Sequence, residues 1–129
     1  MNIERAIQDR WRISAVLSAL LPVERLFTGT VPGDPPPPYA VLTRLDTQPV
    51  LRTSSGTALD EAKIEMSLWA SELEALQSIV AEVERGFERA GFLLRDGSVL
   101  LMRRMQHSER QEESGLWRAT WIWLVLYKT

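Results

Sequence analysis

The chain has 129 residues, of which 45% are hydrophobic, and carries a formal net charge of −2 with a pI near 5.5. This length suits one domain, residues 1–129, with a core of useful size, and the mild acidity argues against a nucleic-acid binder that works by neutralising phosphates. Cysteine is absent, which excludes disulfides, thiolate metal sites and Cys nucleophiles. No apolar run reaches membrane-spanning length, and the charged start MNIERAIQDR lacks the apolar core of a signal peptide, so the chain reads as soluble.

In chain order, Asn2 can cap a first helix with Ile3, Ile7, Trp11, Ser14, Leu17 and Leu21 on one face and Arg5, Gln8, Asp9 and Arg12 on the other. Pro22 ends it. Residues 26–31 (LFTGTV) read as a short strand leading into PGDPPPP at 32–38, a stiff connector that cannot join a ladder because proline lacks the donor. Residues 39–46 (YAVLTRLD) form a strand with Tyr39, Val41, Thr43 and Leu45 on one side. Residues 47–57 (TQPVLRTSSGT) are polar and turn-rich, either a hairpin arm around Val50 and Leu51 or an exposed loop.

The hydrophobic period then changes abruptly. Ala62, Ile64, Met66 and Leu68 alternate with Lys63, Glu65 and Ser67, the pattern of a half-buried strand. Leu73, Leu76, Val80, Val83 and Phe87 follow at helical spacing. Ser71 and Glu74 make a capping box at the start of this helix, and Gly91 offers a left-handed stop. A further strand begins at residues 92–94. Asp96-Gly97 signals a hairpin, and residues 98–106 (SVLLMRRMQ) continue the sheet. Residues 107–115 (HSERQEESG) read as a hydrophilic loop, and 116–127 (LWRATWIWLVLY) as the last strand.

That last strand places Trp117, Ala119, Trp121, Trp123, Val125 and Tyr127 on one face and Leu116, Ile122, Leu124 and Leu126 on the other. A strand apolar on both faces needs cover on both. The second face is covered either by a neighbouring subunit, or by helices packed on opposite sides or by loops. The element order, helix, strands, helix, strands, specifies α+β: a mainly antiparallel β-sheet with two α-helices packed on it.

The candidate chemistry is sparse. His107 is the only histidine and has no metal-ligand partner at short spacing, so it reads as a solvated loop residue. Glu109, Glu112 and Glu113 sit among Ser, Arg and Gln, which makes a solvated charge run rather than an acid–base pair. Arg103 and Arg104 point to opposite faces of a strand, and a cross-strand pair with Glu65 or Glu61 explains one of them. Arg110 adds a third cation nearby. The five tryptophans have no basic groove beside them and fit a core or a subunit interface. Ser54-Ser55-Gly56 does not form a nucleophile elbow. No catalytic constellation, metal site or cofactor site is expected.

The order of landmarks resembles the tail completion or tail terminator family of tailed bacteriophages and prophages. The landmarks are a first helix ending near LLP, a Pro/Gly-rich segment entering PPYAVL at 37–42, and SSG at 54–56. They continue with KIEMSLWA at 63–70, an Ala/Leu/Glu-rich helix over 72–90 and an aromatic, apolar final strand over 115–127. The resemblance implies a tail-terminator-like fold and a non-enzymatic virion protein. It implies a homo-oligomeric ring, commonly a hexamer, seated on the tail tube protein, which stops tube polymerisation and offers a surface to the head–tail connector. DNA would pass through the ring without recognition, and assembly would take place in the bacterial host cytoplasm before the protein resides in the virion tail. On that reading the candidate assembly contacts are Val50, Leu51 and Arg52 in the first arm, Arg110, Glu112 and Glu113 in the second, and Trp117, Trp121 and Trp123 on the last strand. The alternatives are another virion component, such as a head–tail connector or minor tail protein, or a small α+β ligand-binding dimer or enzyme. The last of these requires a buried polar cluster around Tyr39, Arg103 or His107.

Overall fold

A computed structural model describes residues 2–52, 54, 58–93 and 97–128. Three α-helices, α1 (Ile3–Ile13), α2 (Ala15–Leu20) and α3 (Leu73–Phe87), accompany six strands. These are β1 (Leu26–Thr28), β2 (Tyr39–Arg52), β3 (Ala58–Ala70), β4 (Ala90–Leu93), β5 (Ser98–Gln111) and β6 (Trp117–Lys128). They form one mixed sheet in the order β1-β2-β3-β6-β5-β4. Only β1 runs parallel to its neighbour β2; every other pairing is antiparallel.

The first helical stretch is two helices, not one. Asn2 caps α1 by accepting the Arg5 N–H at 2.9 Å. Ser14 then adopts an extended backbone, ends α1 and caps α2 by accepting the Leu17 N–H through Oγ. The Ser18 hydroxyl donates to the Arg12 carbonyl and to the Trp11 carbonyl, which also accepts the Ser14 N–H. The break lets Trp11 on α1 and Leu17 and Leu21 beyond it enter one core, with the Trp11 indole N–H donating to the Leu21 carbonyl at 2.8 Å.

α3 also starts and stops differently from the expected signals. Glu72, not Ser71, occupies the cap position and makes no side-chain cap bond, because β3 runs to Ala70 and Ser71 lies one residue too early. At the other end Arg89, at φ 58, makes the left-handed turn, and Gly91 belongs to β4. A Cβ on Gly91 would lie 3.1 Å from the Leu100 carbonyl oxygen, a tight contact that favours glycine where β4 approaches β5. The core face of α3 is as read from the period: Leu76, Val80, Val83 and Phe87 are buried, joined by Ile79.

Of the two readings of residues 47–57 the hairpin arm around Val50 and Leu51 is the one the structure has over residues 47–52, and residues 107–111, expected to be loop, are strand. β2 continues through residues 47–52 and pairs with β3 as far as Arg52↔Ala58, and β5 continues through residues 107–111 and pairs with β6 as far as Gln111↔Trp117. Alternation does not reveal them, because both extensions are mostly exposed and have little to bury. The Asp96 half of the expected hairpin turn and Ser55-Gly56 lie outside the described residues; β4 and β5 do pair antiparallel on either side of that turn.

Directly opposed residues share a face, so the ladders sort the side chains. Ala62, Ile64, Met66 and Leu68 of β3, Ala119, Trp121, Trp123 and Val125 of β6, and Ala40 and Leu42 of β2 form one buried cluster with the core residues of the helices. The helices therefore cover one face of the sheet. On the opposite face, Ile122, Leu124 and Leu126 of β6 are only half-buried.

Candidate assembly surfaces

Three surfaces carry the features singled out in the sequence: the helix-free face of the sheet, the β5–β6 hairpin and the groove between the helices. On the helix-free face, Ile122, Leu124 and Leu126 form a central aliphatic stripe. It is flanked on β3 by Glu65, Lys63 and Glu61 and on β5 by Gln106, Arg103 and Leu101. Arg103 and Arg104 do point to opposite faces. Neither pairs with Glu61 or Glu65, because β6 lies between β5 and β3. Arg104 instead bridges Glu84 of α3, and its backbone N–H donates to Glu88 at 2.8 Å.

One end of this face is tied by aromatic and charged groups. Tyr39 stacks on Trp69, with ring centroids 5.0 Å apart, and the Arg118 guanidinium lies 4.9 Å from the Trp69 ring centroid. Arg118 also donates to the Ser67 hydroxyl at 3.1 Å, and the Trp69 indole N–H donates to Glu112. Glu112 thus anchors the β5–β6 turn to the first half of the sheet. Glu112→Ala is expected to cost about 1–2 kcal/mol in chemical denaturation, since it removes a charge-assisted acceptor from an indole donor. Glu113→Ala, at an exposed position, should stay within about 0.5 kcal/mol.

His107 is not a solvated loop residue. It lies on the helix-side face of β5 opposite Trp121, stacks on that ring at 4.8 Å and has Nε2 3.0 Å from the Glu109 carboxylate. Tyr39 and Arg103 do not join this cluster. Grooves at the surface are lined by Arg10, Ile13, Ser14, Leu17, Gly86 and Phe87, by Ala6, Asp9, Arg10, Ile13, Gly91 and Phe92, and by residues 110–114. None of these linings includes Tyr39, Arg103 or His107. Among the described residues no three His, Asp or Glu side chains converge as metal ligands, and no helix is long and apolar enough to cross a membrane.

Burial raises the pKa of both tyrosines above the ordinary value of 10.0. For Tyr39 the anionic Asp34 and Glu112 add to it and Arg118 opposes; for Tyr127 Asp60 adds to it and Arg44 and Arg52 oppose. Above pH ~10 the unfolded chain releases tyrosine protons that the folded protein retains, so stability from these groups is intact below that pH and falls as pH rises through the folded values. Ultraviolet titration should show both tyrosines ionising above 10.0 in the native protein and together near 10.0 in denaturant.

The expected contact residues fall into two groups. Val50, Leu51, Arg52, Arg110 and Glu113 are exposed, Glu112 and Trp117 half-buried. Arg52 is engaged with Asp60 at 2.5 Å. Trp121 and Trp123 are 0% exposed and lie in the core beneath the helices, so they have no surface to offer a neighbouring subunit. Reading the last strand as two apolar faces was sound, but the tryptophan face is the internal one. Sequence reading missed Leu45, Leu100 and Met105, exposed aliphatic residues at irregular ladder positions. Only the partner strand reveals a bulge, so the sequence carries no signal for them.

The sheet thus has one helix-covered face and one open, partly aliphatic face. The chain belongs to the family described as "Tail completion protein gp17", which matches residues 5–124. It is therefore a phage tail structural protein, of a family that is not enzymatic. No curated protein sequence matches it. Its fold is that of a chain in the "Virion of native gene transfer agent (GTA) particle", with a TM-score of 0.74 and 15% identity over 98% of this chain and 95% of that one.

Proposed function

We propose that the protein is a tail terminator: a ring, commonly of six copies, that caps the tail tube, stops its polymerisation and joins the tail to the head connector. The observation that carries this reading is family membership across nearly the whole chain. The helix-free face, with its aliphatic stripe and charged flanks, suits assembly. DNA passes through the ring without specific recognition; the net charge of −2 favours passage, since a strongly basic lumen would retain DNA. The protein acts in the host cytoplasm during assembly and then resides in the tail.

The test adds the purified chain to its cognate tube protein under polymerising conditions, with negative-stain imaging and mass measurement. Tubes should stop at shorter lengths and carry a ring at one end, and the ring should grow in abundance with concentration. Tubes of unchanged length without terminal density would overturn the reading.

A further inference from the structure

We infer that Arg110 and Arg118, side by side at the β5–β6 turn end of the helix-free face, form a receptor for a carboxylate on an acidic segment of a protein partner. The inference rests on the tail reading above and names the chemistry that the partner presents. The two arginines are directly opposed in the β5–β6 ladder. Ala119, next along β6, is buried on the helix side, so Arg118 and its ladder partner project to the open face. Directly opposed Cβ atoms lie about 5 Å apart, a spacing at which like charges destabilise a sheet.

Nothing among the described residues neutralises this pair. Neither guanidinium takes part in an ion pair. Carboxylates of the same hairpin are engaged elsewhere: Glu112 accepts the Trp69 indole N–H, and Glu109 lies on the helix side against His107. Arg110 is exposed. Arg118 donates to the Ser67 hydroxyl at 3.1 Å, while its enclosed Nε–H has no acceptor. A carboxylate has two oxygens, so it can accept from both guanidinium groups at once and cancel the repulsion between them.

The surroundings suit a protein rather than a free ion. Arg118 is held over the Trp69 ring at 4.9 Å, and Tyr39 stacks on Trp69 beyond it. Both rings are half-buried, which leaves part of each open to a partner. Trp, Tyr and Arg are the residue types that dominate binding energy at protein interfaces. A DNA duplex is a poorer fit. It presents about one phosphate charge per 1.7 Å of axis, whereas Glu112 and Glu113 follow closely on Arg110 in the turn and the whole chain carries −2. A single carboxylate meets the two cations without confronting that acidic turn.

The test uses the full chain with preformed cognate tubes and with the cognate connector protein, in sedimentation and pull-down at low and high salt. Arg110→Glu should weaken binding to one of them by about tenfold or more, as reversal of a paired charge does. Arg103→Glu, on the same face of β5 away from the pair, should bind as the wild type does. Arg118→Lys keeps the charge but loses the fork, and should weaken the same binding while remaining folded. Arg110→Ala should keep or raise the melting temperature, because it relieves the repulsion; a fall would give Arg110 a structural task and overturn the inference. A lysine scan of the partner's exposed Asp and Glu should yield a variant that binds Arg110→Glu better than the wild type, and its absence would overturn the carboxylate. Unchanged binding of Arg110→Glu to both proteins overturns the inference and leaves the terminator reading standing. Arg110-dependent binding of a short DNA duplex, in place of the proteins, would make phosphate the ligand and overturn it too. If the wild type binds tubes through Arg110 without halting their growth, the terminator reading fails and the inference stands. If the wild type binds neither protein, both fail.

Discussion

Replacing Val83 by aspartate is expected to unfold the protein. Val83 lies on the inner face of α3 with 0% exposure. The substitution forfeits roughly 1.5–3 kcal/mol of apolar burial and places a carboxylate among aliphatic and aromatic side chains, at a further cost of several kcal/mol. Together these rival the whole stability of an ordinary domain, about 5–15 kcal/mol. Circular dichroism should show no cooperative thermal transition, or the variant should be insoluble. Gln77→Glu, on the exposed side of the same helix, should melt like the wild type. A wild-type melting temperature for Val83→Asp would mean that α3 does not pack on the sheet through this face.

Trp123→Ala should be the most damaging truncation in the sheet. Its ring is 0% exposed, with its centroid 6.1 Å from that of Trp121 and 6.4 Å from that of Phe87. A cavity of that size costs about 3–5 kcal/mol, a fall of roughly 10–20 °C in melting temperature for a domain of this length. Trp123→Phe should cost less than half as much. It retains most of the packing and removes a buried indole N–H that has no hydrogen-bond partner among the described residues. Calorimetry on the two variants separates packing from the polar term, and equal losses would contradict this account.

The inner half of the fold was legible because burial imposes a period. Ala62, Ile64, Met66 and Leu68 alternate, Leu76, Val80, Val83 and Phe87 recur at helical spacing, and both patterns are core faces in the structure. The end signals were less reliable. The Ser71–Glu74 pair resembled a cap and Gly91 a stop, but the strand before α3 and the β4–β5 contact after it displaced both ends. Ser14 resembled a helix-face residue and is a cap between two helices. Local side-chain chemistry competes with tertiary packing at such positions, and packing wins where it buries more surface.

The candidate surfaces were less legible still. That the last strand is apolar on both sides follows from residue types and spacing in the chain itself. Which side of that strand faces inward was settled only by the placement of the helices, all on the tryptophan side, since alternation distinguishes two faces without saying which is covered. Likewise, the polar residues 107–111 carry no apolar alternation, yet they continue β5 because β6 lies alongside to satisfy their backbone groups. By itself the sequence determined the fold class, the core faces of α3 and β3, and the family resemblance, because these are encoded in periodicity and segment order. The mixed sheet and the four register shifts of β2 and β5 were decided by tertiary structure alone, since strand pairing joins residues far apart in the chain.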